Sequence, residues 1–181
     1  MISDETDTTK SDSSAIVSAI SASDGLVSEL AELLLLKNWT ITTAESCTGG
    51  LIAASLTDIA GSSAWFNQGV VTYSNCAKIS LLEVDDALIV QHGAVSEPVV
   101  LAMAAGARRE ANANVAVSVS GIAGPGGGTV DKPVGTVWIA WAVENAPAQA
   151  QDFRFDGDRS AVRQLALVEA LRGTIHRVKS I

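Results

Sequence analysis

Thr40-Ile41-Thr42-Thr43-Ala44-Glu45-Ser46-Cys47-Thr48-Gly49-Gly50-Leu51-Ile52-Ala53-Ala54-Ser55-Leu56 is the stretch from which the fold can be read. Its first residues are β-branched or small and suit a strand. The paired glycines then break regular structure, and the Ala- and Leu-rich run that follows, ending near Asp58, favours a helix. The order strand, loop, helix is the repeating unit of a parallel α/β sheet.

The same punctuation recurs outward from this unit. Gly69-Val70-Val71-Thr72-Tyr73 reads as a strand, Ser74-Asn75 as a helix start, and Ala77 to Leu82 as the helix. Val115 to Ser120 is a third strand, followed by Gly121-Ile122-Ala123-Gly124-Pro125-Gly126-Gly127-Gly128-Thr129, which forbids regular structure. Val134 to Val143 restarts as a strand with Trp138 and Trp141 on opposite faces, and after Glu144-Asn145-Ala146-Pro147 the segment Ala150 to Phe155 alternates as a hairpin partner. Leu26, Leu30, Leu33 and Leu34 predict a helix over 25 to 38 with Asp24 as cap. Ser96-Glu97-Pro98 opens the longest helix, to about Asn112, and Asp158 caps a last one to about Val178. These elements predict a three-layer α/β/α single domain over a mixed, mostly parallel sheet of about five strands.

Composition sets the outer bounds. With 181 residues, 48% of them hydrophobic and 18% charged, the chain is long enough for one substantial core. A formal net charge of -8 argues against nucleic acid as a partner. Residues 1 to 25 hold five acids, one base and seven serines, which predicts an acidic Ser-rich tail over 1–24, disordered to about Ser14, ahead of a domain over 25–181. Neither a signal sequence nor an apolar run approaching ~20 residues is found, so no membrane association and a cytoplasmic location are expected. Cys47, Cys76, His92 and His176 offer neither a disulfide framework nor metal-ligand spacing, and no metal or other cofactor is expected.

In open α/β sheets ligands gather at the carboxyl ends of the strands. Here those ends are Glu45 to Gly50, Ser74 to Lys78 and Gly121 to Thr129. Ser46 stands before the Thr48-Gly49-Gly50 helix start, whose amides suit an oxyanion or a phosphate, although Ser46 or Thr48 serves equally well there as a helix cap. Cys47 is a rival nucleophile, and Glu45 can orient a base, meet a ribose hydroxyl or pair with a cation. Of the bases available, only Lys78 and Lys132 lie near these loops. With Asn75 as cap, Lys78 falls at the third helical position, where the helix dipole and partial burial depress a lysine pKa; the alternative is a surface lysine paired with Glu83. Tyr73 is the only tyrosine and stands five residues before Lys78, close enough to relay a proton or orient the amine. His92 reads as a turn residue. The amides of Gly126, Gly127, Gly128 and Thr129 can cradle a phosphate without forming a P-loop. Arg159 and Arg163 share one face of the last helix, with Arg163 expected in a salt bridge and Arg159 open for an anion.

Taken together, Thr43-Ala44-Glu45-Ser46-Cys47-Thr48-Gly49-Gly50, Asp58-Ile59-Ala60-Gly61-Ser62-Ser63, Val71-Thr72-Tyr73-Ser74-Asn75 with Lys78, His92-Gly93-Ala94-Val95-Ser96, Ser120-Gly121-Ile122-Ala123-Gly124-Pro125, Lys132-Pro133-Val134-Gly135-Thr136-Val137 and Gly157-Asp158-Arg159 resemble the CinA C-terminal domain family over about residues 26 to 176. The resemblance implies hydrolysis of nicotinamide mononucleotide (NMN) to nicotinate mononucleotide and ammonia, with Ser46 as nucleophile, Lys78 as general base and Tyr73 assisting. It implies a small-molecule nucleotide partner, and the loops at the strand ends offer Glu45, Thr48, Gly49, Gly50, Asn75 and the Gly126 to Thr129 loop, and the last helix Arg159, to contact it, with the Thr48 helix start and the Gly126 to Thr129 loop both open to its phosphate. Longer family members carry a further amino-terminal domain, and this chain fits the stand-alone form. A homodimer is compatible with the resemblance, with Trp65, Phe66 and the Trp138 strand as contact surfaces. The competing expectation is a nucleotide-binding or regulatory module of the same family without turnover.

Overall fold

The computed structural model describes residues 8–181, with side chains described from Ser23 onward. The first seven residues of the expected acidic tail lie outside the described residues. The elements run α1 (Thr8–Lys37), β1 (Ile41–Glu45), α2 (Leu51–Thr57), a short 3-10 turn (Ser62–Ala64), β2 (Phe66–Val71), α3 (Asn75–Leu82), α4 (Asp86–His92), α5 (Glu97–Ala111), β3 (Val115–Gly121), β4 (Thr136–Val143), β5 (Gln149–Arg154) and α6 (Arg159–Lys179). The five strands form one mixed sheet in the order β2-β1-β3-β4-β5. β1 pairs in parallel with β2 and β3, and β3–β4 and β4–β5 are antiparallel, so β4 alone runs against the others.

Strand alternation decides which helices cover which face. In β3, Val115, Val117 and Val119 point the same way as Ile41, Ile139 and Trp141, into a core shared with Leu30 and Leu34 of α1, Ile52 of α2 and Leu171 of α6. Ala116 points the other way with Ala44, Ala140 and Ala142, against Val99, Val100 and Met103 of α5. Large side chains fill one layer, and small ones let α5 settle close to the sheet on the other. Gly106 of α5 meets the Leu82 carbonyl so closely that a Cβ would overlap it. This is the expected three-layer arrangement, with Trp141 buried in one face and Trp138 packed against the other.

Some local expectations are corrected. α1 begins at Thr8, well before residue 25. Asp24 therefore lies inside the helix, where its carbonyl accepts from Ser28 Oγ at 3.0 Å. α4 occupies the acidic segment ahead of His92, for which the sequence predicts no element, and places His92 in a helix rather than a turn: Asp85 caps it by accepting from the Ala87 amide at 2.9 Å, which turns acidic residues into a helix start. α5, with 15 residues, is shorter than α1 and α6. Trp65 is 1% exposed and belongs to the core, so it offers no surface for a partner. Among the described residues no helix is long and apolar enough to cross a membrane.

Candidate active site

The carboxyl ends of β1 and β3 and the segment after β2 converge on a cavity of about 210 Å³ lined by Ser46, Cys47, Tyr73, Asn75, Lys78, Ala94, Val95, Ser120, Gly121, Ala123 and Arg159. Its floor is built by a carboxylate that never reaches the cavity. Glu45 ends β1 with its side chain fully buried, and its two oxygens accept from the amides of Gly50 at 2.9 Å, Ile52 at 3.1 Å and Ala53 at 2.8 Å. Those are orphan donors of the α2 start, and a negative charge there is stabilised by the helix dipole. From the other side Arg163 of α6 donates to Thr48 O at 2.7 Å. The loop between β1 and α2 is clamped between an acid below and a guanidinium above.

Ser46 extends the β1 ladder by one bond, its amide donating to Val119 O at 2.9 Å, and its side chain stands at the cavity wall. Lys78 comes to it from α3. The helix is capped by Ser74, whose Oγ accepts from the Ala77 amide at 3.1 Å, so Lys78 is the fourth helical residue rather than the third and Asn75 is not the cap. The Lys78 side chain is 1% exposed; its Nζ donates to Thr72 O at 2.8 Å and to Ser46 Oγ at 3.2 Å. No carboxylate among the described residues pairs with it, and Glu83, the partner considered from sequence, binds Arg109 at 2.7 Å instead. Burial holds the Lys78 pKa below the ordinary lysine value, opposed only by the nearby Cys47 thiol. Burial is the principal cause.

Cys47, the rival nucleophile, is buried, and desolvation pushes its thiol up to about 11 against the pull of nearby backbone amides and Arg163. At neutral pH only about one thiol in ten thousand is then ionised, too few for a reactive cysteine. Tyr73 is 60% exposed, and its hydroxyl oxygen accepts from Arg159 Nη2 at 2.9 Å. The same guanidinium donates through Nη1 to Gly124 O at 3.0 Å, tying the tyrosine to the segment after β3. The phenolic proton is left to point elsewhere.

Of the residues singled out from sequence, Ser46, Cys47, Tyr73, Asn75, Lys78 and Arg159 meet in the cavity. Glu45, Thr48, Gly49 and Gly50 shape the loop behind it, since the Gly49 amide donates to Ser46 O at 3.0 Å and the Gly50 amide to Glu45. Gly126 to Thr129 stand outside the lining, and Thr129 is bonded to Lys132. Arg163 makes no salt bridge among the described residues, and Asp158, a partner considered for it from sequence, caps α6 by accepting from the Ala161 amide at 2.8 Å. His92 ends α4 with its carbonyl held by Lys132. Ser120, Ala94 and Val95 stand in the motifs that carry the resemblance, but no site role was expected of them. Ser120 lies at the carboxyl end of β3, the signal that could have assigned it one.

The profile of the CinA C-terminal domain matches residues 23–178. A nicotinamide-nucleotide amidohydrolase PncC from Enterobacter agglomerans is 56% identical over 144 residues, covering 80% of this chain and 88% of that protein. A protein of the same name from Escherichia coli is 53% identical over 147 residues, covering 81% of this chain and 89% of its own length. Among solved structures, a competence-damaged protein (CinA) superfamily protein from Klebsiella pneumoniae superposes with a TM-score of 0.84 at 38% identity, over 88% of this chain and 99% of that one. A competence/damage inducible protein from Agrobacterium tumefaciens gives a TM-score of 0.84 at 42% identity, over 86% and 94% of the two chains.

Proposed function

The chain belongs to the CinA C-terminal domain family, and from that premise we propose that it is a nicotinamide-nucleotide amidohydrolase working by Ser-Lys nucleophilic catalysis. The observation that carries the chemistry is a buried amine, without a carboxylate partner among the described residues, 3.2 Å from a serine hydroxyl at the end of a strand. Relatives at this identity that bear the amidohydrolase name supply the substrate class.

In its neutral form Lys78 takes the Ser46 proton as Oγ attacks the carboxamide carbon of NMN. Thr72 O holds the amine in place throughout. The tetrahedral oxyanion needs donors, and Glu45 already occupies the Gly50, Ile52 and Ala53 amides. The Gly49 and Leu51 amides are occupied by Ser46 O and Thr48 O. The amides of Cys47 and Thr48 lie against the Cys47 sulfur and bond no oxygen among the described residues, and they are the donors we assign to the oxyanion, in competition with that sulfur. Collapse breaks the C–N bond, and Lys78 returns its proton to the leaving ammonia. Water, deprotonated by the same amine, cleaves the Ser46 ester to release nicotinate mononucleotide. Arg159 and Asn75, on the rim, face the anionic part of the substrate, and Arg159 fixes the Tyr73 oxygen so that its O–H can donate to substrate.

The test is product identity. The purified chain is expected to convert NMN to equimolar ammonia and nicotinate mononucleotide, and to act more slowly on nicotinamide riboside, which lacks the phosphate. Binding of NMN without any ammonia would instead establish the ligand-binding module.

A further inference from the structure

Lys132 lies outside the cavity, between β3 and β4, and makes no salt bridge among the described residues. Its ammonium donates to His92 O, at the end of α4, at 2.8 Å and to Val95 O, in the turn that joins α4 to α5, at 2.8 Å. The carbonyls between them are taken by side chains as well: Ser96 Oγ donates to Gly93 O at 2.7 Å and Ser120 Oγ to Ala94 O at 2.8 Å. Four successive carbonyls, from the end of α4 into the turn, are thus held by side chains, and the lysine supplies the first and the last. Surface turns ordinarily leave such oxygens to water or to neighbouring amides. Charge-assisted bonds from one ammonium to both ends of the turn fix its shape more firmly. The lysine is itself anchored, its amide donating to Thr129 Oγ1 at 3.0 Å and its carbonyl accepting from the Thr129 amide at 2.9 Å.

Ala94 and Val95, the middle of that turn, form the cavity wall shared with Ser46 and Lys78. We infer that Lys132 is a positioning residue of this site: by pinning the Ala94-Val95 wall from outside, it sets how the substrate is seated against Ser46 without touching it. The kinetic half of this inference rests on the deamidase reading; the structural half does not.

The test compares the full chain with Lys132→Met, which keeps the stem and loses the donors, and Lys132→Arg, whose fork can still reach two carbonyls. Amide hydrogen exchange at residues 93–96 is measured without substrate, and kcat and KM with NMN. The Met variant is expected to exchange at least about tenfold faster at the turn and to lose about tenfold or more in kcat, with KM changed less, because misplacement costs the reacting geometry. The Arg variant is expected to recover both to within about threefold of the parent. Unchanged exchange in Lys132→Met, a loosened turn with kcat preserved, or an Arg variant as poor as Met would each overturn the inference. Should Lys132→Met not fold, Lys132→Gln, with one donor group retained, takes its place under the same criteria. A parent that leaves NMN intact sinks the deamidase reading alone; exchange at the turn, with affinity for nicotinate mononucleotide in place of kcat, then decides the lysine's role.

Discussion

At the scale of single residues, Lys78 and Cys47 show how burial separates two neighbouring groups. The same desolvation that makes the amine a better base by lowering its pKa makes the thiol a worse nucleophile by raising its own. Cys47→Ala should therefore keep kcat/KM within about threefold of the parent, measured by ammonia release, whereas a thiol nucleophile would be silenced by it. For Lys78 the rate should climb with pH as the amine loses its proton, reaching a plateau through an apparent pKa below the ordinary lysine value of 10.5. Lys78→Arg should be as inactive as Lys78→Met across that profile, because a guanidinium stays charged. A pH-independent rate, or an active Arg variant, would assign the side chain an electrostatic role instead.

At the scale of elements, the Glu45 carboxylate decides where the nucleophile loop sits. Glu45→Gln leaves one acceptor oxygen for three amides and removes the charge facing the α2 start, so a loss of about 2–3 kcal/mol is expected by chemical denaturation. Turnover should fall with it, since Ser46 is the next residue. Glu45 also shows what the sequence could not disclose. An acid beside a serine at a strand end looks like a substrate contact, and only the packing of α2 over the alternation of β1 turns it inward onto the helix. The β1–loop–α2 unit, the segment after β2 and the Asp158 cap were legible because glycines, serines and apolar runs mark them locally. α4 was not, because seven residues behind an acidic run carry too short a period to be recognised. The bond from Arg163 to Thr48 O spans 115 positions and has no local signature at all.

At the scale of the whole molecule, the site stores an unfavourable term that the rest of the fold must offset. A lysine whose folded pKa is lowered binds fewer protons when folded than when unfolded, so stability rises with pH between the folded value and the unfolded value of 10.5. Below that window the full cost of burying the ammonium is present; above it the cost is gone. Lys78→Met lacks the titration, and the stability of the parent relative to this variant should increase from pH 7 toward pH 10 in paired denaturation curves. Flat relative stability would show that the amine is not desolvated. The two hydrophobic layers that carry this burden meet through one sheet, and α5 closes the layer beside Lys78 by packing its Gly106 on Leu82 of the same helix that bears the lysine. Gly106→Ala should cost about 1–3 kcal/mol, more than the gain in helix propensity returns, and displace α3 with its lysine.

The central claim is that Ser46 is the atom-donating nucleophile and Lys78 its base. Single-turnover release of ammonia from NMN by Ser46→Ala, beside the parent, tests it most directly. The account predicts a loss of roughly a thousandfold or more with affinity for nicotinate mononucleotide retained. Release by Ser46→Ala at a rate within about tenfold of the parent would contradict it.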